Sequence, residues 1–190
     1  MTLTPAAVLR DLWFFIVAVW LLAAIRTKPV ARRQPLPGQL VHRVVTIAGY
    51  VLVFSGVVSF GPLGWRFVKP SVDVRWTGVA ITALGIAVML WARATLAGNW
   101  SANVTVKESH ELVIRGPYAW VRHPIYSGIT LATIGTALAE GEVRALVGVV
   151  LVVIGWRLKW GVEERFMTEQ FGDQYRAYMG RVRALIPGVW

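Results

Sequence analysis

The sequence predicts an all-α fold, a polytopic bundle of helices in a membrane, and three observations lead to this prediction. Of the 190 residues, 56% are hydrophobic and only 16% are charged, and the mean hydropathy is +0.55. A soluble domain of this length rarely has so little charged surface. Several uncharged stretches approach the roughly 20 residues that cross a bilayer. We therefore expect about five transmembrane helices in a single domain covering residues 1–190.

The expected spans follow the apolar stretches in chain order and end in a charged, aromatic tail. They lie at about 8–25, 44–63, 76–96, 124–140 and 143–160, and the tail covers 161–190. The first span is followed by Arg26 and Lys28 without a small-residue cleavage site, which indicates a retained helix instead of a signal peptide. The second lies within the uncharged stretch 44–65. The third tolerates Arg93 near its end because a long side chain reaches the headgroups.

The fourth and fifth spans are shorter than the others. Pro124 opens the fourth, since proline is best tolerated in the first turn of a helix. The uncharged stretches 125–139 and 145–156 are joined by a polar turn, and they form either two crossings, which we favour, or a re-entrant pair on one side. The tail has an amphipathic helical face and is expected at the membrane surface. The residues of that face are Phe166, Phe171, Tyr175, Tyr178 and Met179.

The basic residues predict the orientation. With five spans, fifteen of the twenty Lys and Arg residues fall on one side, together with the polar segment 98–124 and the tail. Cytoplasmic loops carry the excess of basic residues in membrane proteins. We therefore expect the N-terminus outside and the tail in the cytoplasm.

Charge and composition also exclude several functions. The net charge of +10 fits the basic excess of a cytoplasmic membrane face, so we expect no nucleic-acid partner. Without cysteine, the chain has no disulfide, no thiolate nucleophile and no cysteine-ligated metal. His42, His110 and His123 are too scattered to indicate zinc, and we expect no metal.

A first cluster of polar residues lies where the fourth span begins. His123 and Tyr126 flank Pro124, and Arg122 and Tyr118 come just before them. The N-terminus of a helix presents free backbone N–H groups, so this junction can form a polar pocket at the membrane edge. The alternative is an interfacial anchor, since aromatic and cationic residues are common at headgroup depth.

A second cluster lies where the last span leaves the bilayer, at Lys159, Glu163 and Glu164. Lys159 and Glu163 are four residues apart and share one face of a continuous helix. The alternative is an ordinary surface ion pair, worth at most ~1 kcal/mol. On the same side of the membrane, the two clusters together describe a site for a zwitterionic ligand such as an amino acid moiety.

These motifs resemble the isoprenylcysteine carboxyl methyltransferase family and its prokaryotic relatives, whose outline is also similar to that of phospholipid methyltransferases. The likeness rests on HELV at 110–113, GPYAWVRHPIYSG at 116–128 and EERFMTEQFGDQYRAYMGRV at 163–182. The His-Pro junction followed at this distance by paired glutamates is the specific part. The first three spans match only in hydropathy.

The resemblance implies a five-span enzyme that uses S-adenosyl-L-methionine and releases S-adenosyl-L-homocysteine. Its cofactor pocket would face the cytoplasm and be formed by the 98–124 segment, the start of the fourth span and the tail. The cofactor contacts carried over by position are Asn103, His110, Glu111, Leu112, Val113, Tyr118, His123, Pro124, Ile125, Tyr126 and Glu163.

The resemblance also implies which groups act on the methyl acceptor. Family members often have an arginine for the substrate carboxylate four residues before the cofactor glutamate, and this sequence has Lys159 there. Lysine keeps the charge and loses the bidentate fork, so Arg157 is the other candidate for this role. An amine acceptor would instead have to lose a proton, for which Glu164, His123 and Tyr126 are the candidate bases.

We therefore predict an integral membrane methyltransferase acting on a lipophilic small molecule, lipidated acceptor or membrane lipid, with a carboxylate favoured over an amine. The alternatives are a phospholipid or amine N-methyltransferase, an NADPH-dependent membrane reductase of the sterol-reductase type, and a non-enzymatic membrane scaffold. The abundance of Ala, Gly, Val and Arg is typical of a GC-rich bacterial genome and favours a bacterial inner membrane.

Overall fold

The structure, a computed structural model, describes residues 3–24, 30–33, 36–96, 105–107 and 112–189. These described residues form six α-helices and one pair of short antiparallel strands. The helices are α1 (Pro5–Ala24), α2 (Leu36–Phe54), α3 (Val72–Leu96), α4 (Pro124–Glu140), α5 (Val143–Phe171) and α6 (Asp173–Arg181). The strands are β1 (Val30–Arg33) and β2 (Thr105–Lys107). The predicted helical class is confirmed.

Three of the described helices are long and apolar enough to cross a membrane. They are the Pro5–Ala23 part of α1, α3 and α5, and α2 adds a shorter apolar stretch, Gln39–Phe54. Each residue of an α-helix rises 1.5 Å, so the 17 residues of α4 are at the lower limit for a crossing. Five crossings within a single domain over 1–190 therefore stay a prediction.

The helix at the second expected span ends earlier than the hydropathy indicated. α2 stops at Phe54, and two 3₁₀ turns, Gly56–Val58 and Gly61–Gly64, follow it. Gly61 has a φ of +53°, which L side chains rarely adopt, and Pro62 lacks the N–H that a continuing helix needs. Hydropathy measures burial in lipid and does not register these backbone constraints.

The fifth helix is longer than its expected span. α5 continues without a break past residue 160 to Phe171, where Gly172, with a φ of +52°, ends it and α6 begins. The aromatic face expected on one tail helix is therefore divided between two helices. As a consequence, Lys159, Glu163 and Glu164 lie on one continuous helix.

α3 packs against α4 through backbone contact at glycines. A Cβ atom on Gly85 would lie 2.5 Å from the carbonyl oxygen of Gly128 and closer still to the amide nitrogen of Ala132. A Cβ atom on Gly135 would lie 2.5 Å from the amide nitrogen of Thr82. Small residues allow this approach in a membrane, where close packing replaces the hydrophobic effect as a force between helices.

α2 packs against α5 in the same way and antiparallel to it. A Cβ atom on Gly49 would lie 2.7 Å from the carbonyl oxygen of Gly148, and one on Gly155 would lie 3.0 Å from the amide nitrogen of Thr46. The residue numbers rise along one helix as they fall along the other. This register sets which residues of α2 face the end of α5 that carries Lys159.

A buried arginine fixes the opposite end of this helix pair. Arg144, near the start of α5, donates hydrogen bonds to the carbonyl oxygens of Leu52 and Val53, both at 2.8 Å. It also pairs with Glu140 and Glu142 at 2.7 Å each. These bonds satisfy carbonyl groups that the last turn of α2 leaves without a helical partner. The end of the bundle away from the polar clusters is thereby held together.

Candidate active site

The site lies where the start of α4 meets the part of α5 that extends beyond the bundle. α4 and α5 are joined by the short turn at Gly141 and Glu142, so they run antiparallel and the first residue of one faces the later turns of the other. Nε2 of His123 lies 3.0 Å from Glu164. The hydroxyl of Tyr126 donates to Glu163 at 2.7 Å. The two polar clusters of the sequence thus form one site.

Glu163 is the carboxylate at its centre. Its Oε1 atom accepts the Tyr126 bond and lies 3.7 Å from the ammonium of Lys159. Its Oε2 atom lies 3.9 Å from Nδ1 of His123, which is longer than a hydrogen bond. The side chain is 24% exposed. Glu163 therefore keeps capacity to accept a hydrogen bond from a cationic group that enters the site.

Aromatic rings form one wall of the site. Tyr126 stacks on Trp156 with 5.0 Å between ring centroids, and His123 stacks on Trp160 at 5.7 Å. The Lys159 ammonium lies 5.5 Å from the ring centroids of both Tyr126 and Trp156. The faces of such rings attract cations. The wall is therefore suited to hold the Lys159 ammonium in place.

Glu164 has a different environment from its neighbour. It receives a bond from Nε of Arg122 at 2.8 Å and contacts Nε2 of His123 at 3.0 Å. Burial by itself would raise the pKa of Glu164, but the hydrogen bonds and charges of His123 and Arg122 outweigh it and hold that pKa below the ordinary value. Glu164 is thus an ionised structural partner that orients the His123 ring.

The lowered pKa makes the stability of the site depend on pH. A carboxylate whose pKa is lower in the folded than in the unfolded state stabilises the fold above the ordinary value of 4.5, and this contribution is lost as the pH falls through the lowered folded value. At neutral pH we expect Glu164→Gln to reduce the free energy of unfolding by about 1–3 kcal/mol. The difference from wild type should shrink as the pH falls below 4.5.

The measurement is thermal unfolding of both proteins in detergent between pH 3 and pH 8. Gln170→Ala, on the exposed surface of the same helix, is the control and should leave the pH dependence of stability as it is in wild type. A difference between Glu164→Gln and wild type that stays constant over the whole pH range would contradict the assignment.

The C-terminal tail holds the first residues of α4 in position. The backbone N–H groups of Arg122 and His123 donate to the carbonyl oxygens of Arg183 and Ala184, at 2.8 and 3.0 Å. The hydroxyl of Ser127 donates to the carbonyl oxygen of Leu185 at 2.6 Å. The carbonyl groups of the tail therefore accept hydrogen bonds from backbone N–H groups just before α4, and these bonds fix the orientation of His123.

Tyr118 lies in the 3₁₀ turn Gly116–Ala119, behind the first turn of α4. Its carbonyl oxygen accepts a bond from the hydroxyl of Tyr178, at 2.6 Å. Burial, followed by the negative charge of Glu163, raises the pKa of Tyr118 well above its ordinary value. Tyr118 therefore stays a neutral phenol at physiological pH.

A comparison with known proteins identifies the family. The family model described as phospholipid methyltransferase matches residues 74–174, which is more than half of the chain and includes most of the site. The chain belongs to the phospholipid methyltransferase family.

Individual relatives of this family member carry a more specific name. A protein-S-isoprenylcysteine O-methyltransferase of Mus musculus is 30% identical over 128 residues, which cover 65% of this chain and 44% of the mouse protein. The protein of the same name from Saccharomyces cerevisiae is 34% identical to this chain over 115 residues, which cover 58% of this chain and 47% of the yeast protein. The predicted resemblance is confirmed. The chain spans about half the length of the curated relatives that it matches.

A solved structure shows the same fold. It is the eukaryotic intramembrane Ras methyltransferase, an isoprenylcysteine carboxyl methyltransferase, with a TM-score of 0.55 and 23% sequence identity. The match covers 78% of this chain and 52% of the other. Together with the three long apolar helices, it makes this phospholipid methyltransferase family member a multi-pass membrane protein.

The structure places most of the residues singled out in the sequence around this site. His123, Tyr126 and Lys159 all lie beside Glu163. Pro124 and Ile125 form the first turn of α4, and Leu112 and Val113 lie half-buried before the 3₁₀ turn. Asn103, His110 and Glu111 lie outside the described residues. Which of these residues bind a cofactor stays a prediction.

Arg157 has a different position from Lys159. It is exposed on α5, and its guanidinium carbon lies 5.6 Å from the ring centroid of Trp160. Two residues along a helix correspond to a rotation of about 200°. Arg157 and Lys159 therefore project in different directions, and of the two it is Lys159 that pairs with Glu163.

Sequence reasoning missed the two tryptophans of the wall, Trp156 and Trp160. A signal for them existed, since Trp156, Trp160 and Glu163 follow the i, i+4, i+7 spacing of one helical face. Hydropathy does not reveal this face, because the expected span ends at residue 160 and Glu163 falls in the charged tail that follows.

Proposed function

We propose that this chain is an integral membrane methyltransferase that uses S-adenosyl-L-methionine to methylate a lipophilic acceptor at a carboxylate. The observation that carries the proposal is the position of Glu163, a partly exposed carboxylate beside the start of α4 with an aromatic wall next to it. Membership of a methyltransferase family and relatives named for isoprenylcysteine O-methylation support it.

The residues of the site fit the proposed cofactor. Glu163 retains capacity to accept hydrogen bonds from the N–H groups of its ammonium. The first turn of α4, at Pro124 and Ile125, has the positive end of the helix dipole, which favours its carboxylate. His123, Tyr118, Leu112 and Val113 belong to the proposed contacts, as do Asn103, His110 and Glu111.

The proposed chemistry requires positioning more than proton transfer. S-adenosyl-L-methionine supplies a sulfonium methyl group, and transfer to a carboxylate oxygen forms a C–O bond as the C–S bond breaks, giving a methyl ester and S-adenosyl-L-homocysteine with no proton to remove. Lys159 would orient the acceptor carboxylate by its charge. The aromatic wall would exclude water and hold the reacting groups in line. Tyr126 would position Glu163 through their 2.7 Å bond.

The acceptor and the location are part of the same proposal. A lipophilic acceptor would reach the site sideways from the bilayer, between helices, whereas a polar cofactor would come from the cytoplasm. We propose that the tail and the site lie on the cytoplasmic side of a bacterial inner membrane, with the N-terminus outside. Arg157, on the exposed side of α5, would contact the part of the acceptor that extends beyond the aromatic wall.

Calorimetry on the detergent-purified chain tests the proposed function. We expect S-adenosyl-L-homocysteine to bind with a micromolar Kd and NADPH not to bind. Binding of NADPH alone would identify a reductase, and binding of neither would favour the scaffold. For the acceptor, membrane extracts are incubated with the protein and a radiolabelled methyl donor. Label released by mild alkali indicates an ester, and alkali-stable label indicates an N-methyl group.

A further inference from the structure

His42 has no role in the site as described so far, yet its position requires an explanation. It lies on α2 with only 6% of its surface exposed. Within the part of the chain that the structure describes, its Nε2 atom has no hydrogen-bond partner. A buried polar group without a partner costs free energy, and native proteins contain few of them. Such an atom is expected where a ligand completes the bond.

The register of α2 against α5 places His42 beside Lys159. A Cβ atom on Gly155 would lie 3.0 Å from the amide nitrogen of Thr46 and 3.1 Å from the carbonyl oxygen of His42. Because the two helices are antiparallel, one further turn along each brings the residue at 42 next to the residue at 159. Lys159, Arg43 and Glu163 are the charged groups that act electrostatically on the His42 ring.

The surroundings of this pair favour an anion. Lys159 is buried and supplies a positive charge beside the rings of Tyr126 and Trp156. A cationic amine would be repelled by the Lys159 ammonium, whereas a carboxylate would be attracted to it and would accept a hydrogen bond from Nε2–H of His42.

Access from the bilayer exists on the same helix. Leu40, Val41 and Val44 flank His42 on α2 and are all exposed, so they face lipid in a membrane protein. A lipophilic chain lying on this apolar face would bring a terminal carboxylate to the helix surface that carries His42. The exposed apolar face of α2 would thus contact the lipophilic chain of the acceptor, and its buried polar face would contact the carboxylate.

We infer that His42 determines acceptor specificity, with its Nε2–H donating a hydrogen bond to the acceptor carboxylate while Lys159 provides the opposite charge. The inference rests on the proposed methyltransferase function and assigns to His42 the selection of a carboxylate as the acceptor group. His42 is a specificity residue on the acceptor side and takes no part in holding the methyl donor.

The experiment compares two ligands that differ only in charge. Detergent-purified protein saturated with S-adenosyl-L-homocysteine is titrated by calorimetry with N-acetyl-S-farnesylcysteine and with its neutral carboxamide. We expect wild type to bind the carboxylate at least about tenfold more tightly than the carboxamide, because one hydrogen bond to a charged group contributes about that much affinity. His42→Leu should lower this preference about tenfold, with Lys159 still attracting the carboxylate, and His42→Gln, which keeps a donor, should restore part of it. The control is Val51→Ala, at an exposed position further along the same helix, and it should retain the preference.

The outcomes separate this inference from the function on which it rests. An unchanged Kd for S-adenosyl-L-homocysteine in both His42 variants, with the carboxylate preference reduced in His42→Leu, supports it. An unchanged preference in His42→Leu overturns it, as does a wild type that binds S-adenosyl-L-homocysteine without preferring the carboxylate. A wild type that binds no S-adenosyl-L-homocysteine overturns the proposed function itself.

A measurement on wild type covers the case in which His42→Leu does not fold. In protein labelled with ¹⁵N-histidine, the imidazole signal that disappears in His42→Gln should move on addition of the carboxylate and not of the carboxamide. A signal that responds equally to both ligands overturns the inference.

Discussion

Replacing Glu163 by glutamine is expected to weaken binding of S-adenosyl-L-homocysteine by about 10–100-fold, because one charge-assisted hydrogen bond contributes roughly 1.5–3 kcal/mol. Glutamine keeps the shape of the side chain and can still accept the bond from Tyr126. What it removes is the negative charge proposed to hold the ligand ammonium. The same change leaves buried Lys159 without the charge that lies 3.7 Å away in wild type.

A second ligand makes this test specific. 5′-Methylthioadenosine has the nucleoside and the thioether but no amino acid moiety, so its Kd should be the same in wild type and in Glu163→Gln. Both ligands are titrated into detergent-purified protein by calorimetry. Glu169→Gln, an exposed glutamate on the same helix, is the matched control and should bind both ligands as wild type does. If Glu163→Gln lost affinity equally for the two ligands, the assignment of Glu163 to the ammonium would be wrong.

Replacing Gly85 by leucine is expected to lower the free energy of unfolding by about 3 kcal/mol or more, at the upper end of what overpacking costs. A Cβ atom at this position already meets the backbone of α4, at the carbonyl oxygen of Gly128 and the amide nitrogen of Ala132. Backbone atoms cannot rotate away as a side chain does. The two helices would have to separate, and the effect would reach the site because α4 carries His123 and Tyr126 at its start.

Thermal unfolding in detergent measures this effect, with Gly180→Ala as the matched control. Gly180 lies in α6, and a Cβ atom there would meet nothing within 4 Å. Alanine at that position should stabilise the protein slightly, by about 0.5–1 kcal/mol, because alanine is the better helix former. A Gly85→Leu protein as stable as wild type would mean that the α3–α4 contact is looser than the structure describes.

Much of the site could be predicted from sequence because its residues lie close together along the chain. His123 and Tyr126 follow a single proline, and Lys159 and Glu163 are one helical turn apart. Local spacing of this kind translates directly into a shared helix face. Because a short turn joins α4 to α5, the start of α4 and the later turns of α5 lie at the same end of the helix pair, and the two groups of polar residues meet there.

Other features depended on contacts distant in sequence. Nothing near His42 in the sequence indicates that it lies beside Lys159, because the two residues are brought together only by glycine contacts between α2 and α5. Glu163 and Glu164 are adjacent and chemically identical. Their separate roles arise because one meets Tyr126 and the other meets Arg122 and His123.

The amino-acid sequence by itself determined the helical membrane class, the family likeness and the two groups of polar residues, since hydropathy and short-range spacing are properties of contiguous chain. Only the tertiary structure decided where α2 ends, how far α5 extends and which partner each buried charge has. These depend on backbone geometry and on helices that approach within backbone contact. Such contacts form between residues far apart in the chain, and their pairing is set by how whole helices fit together.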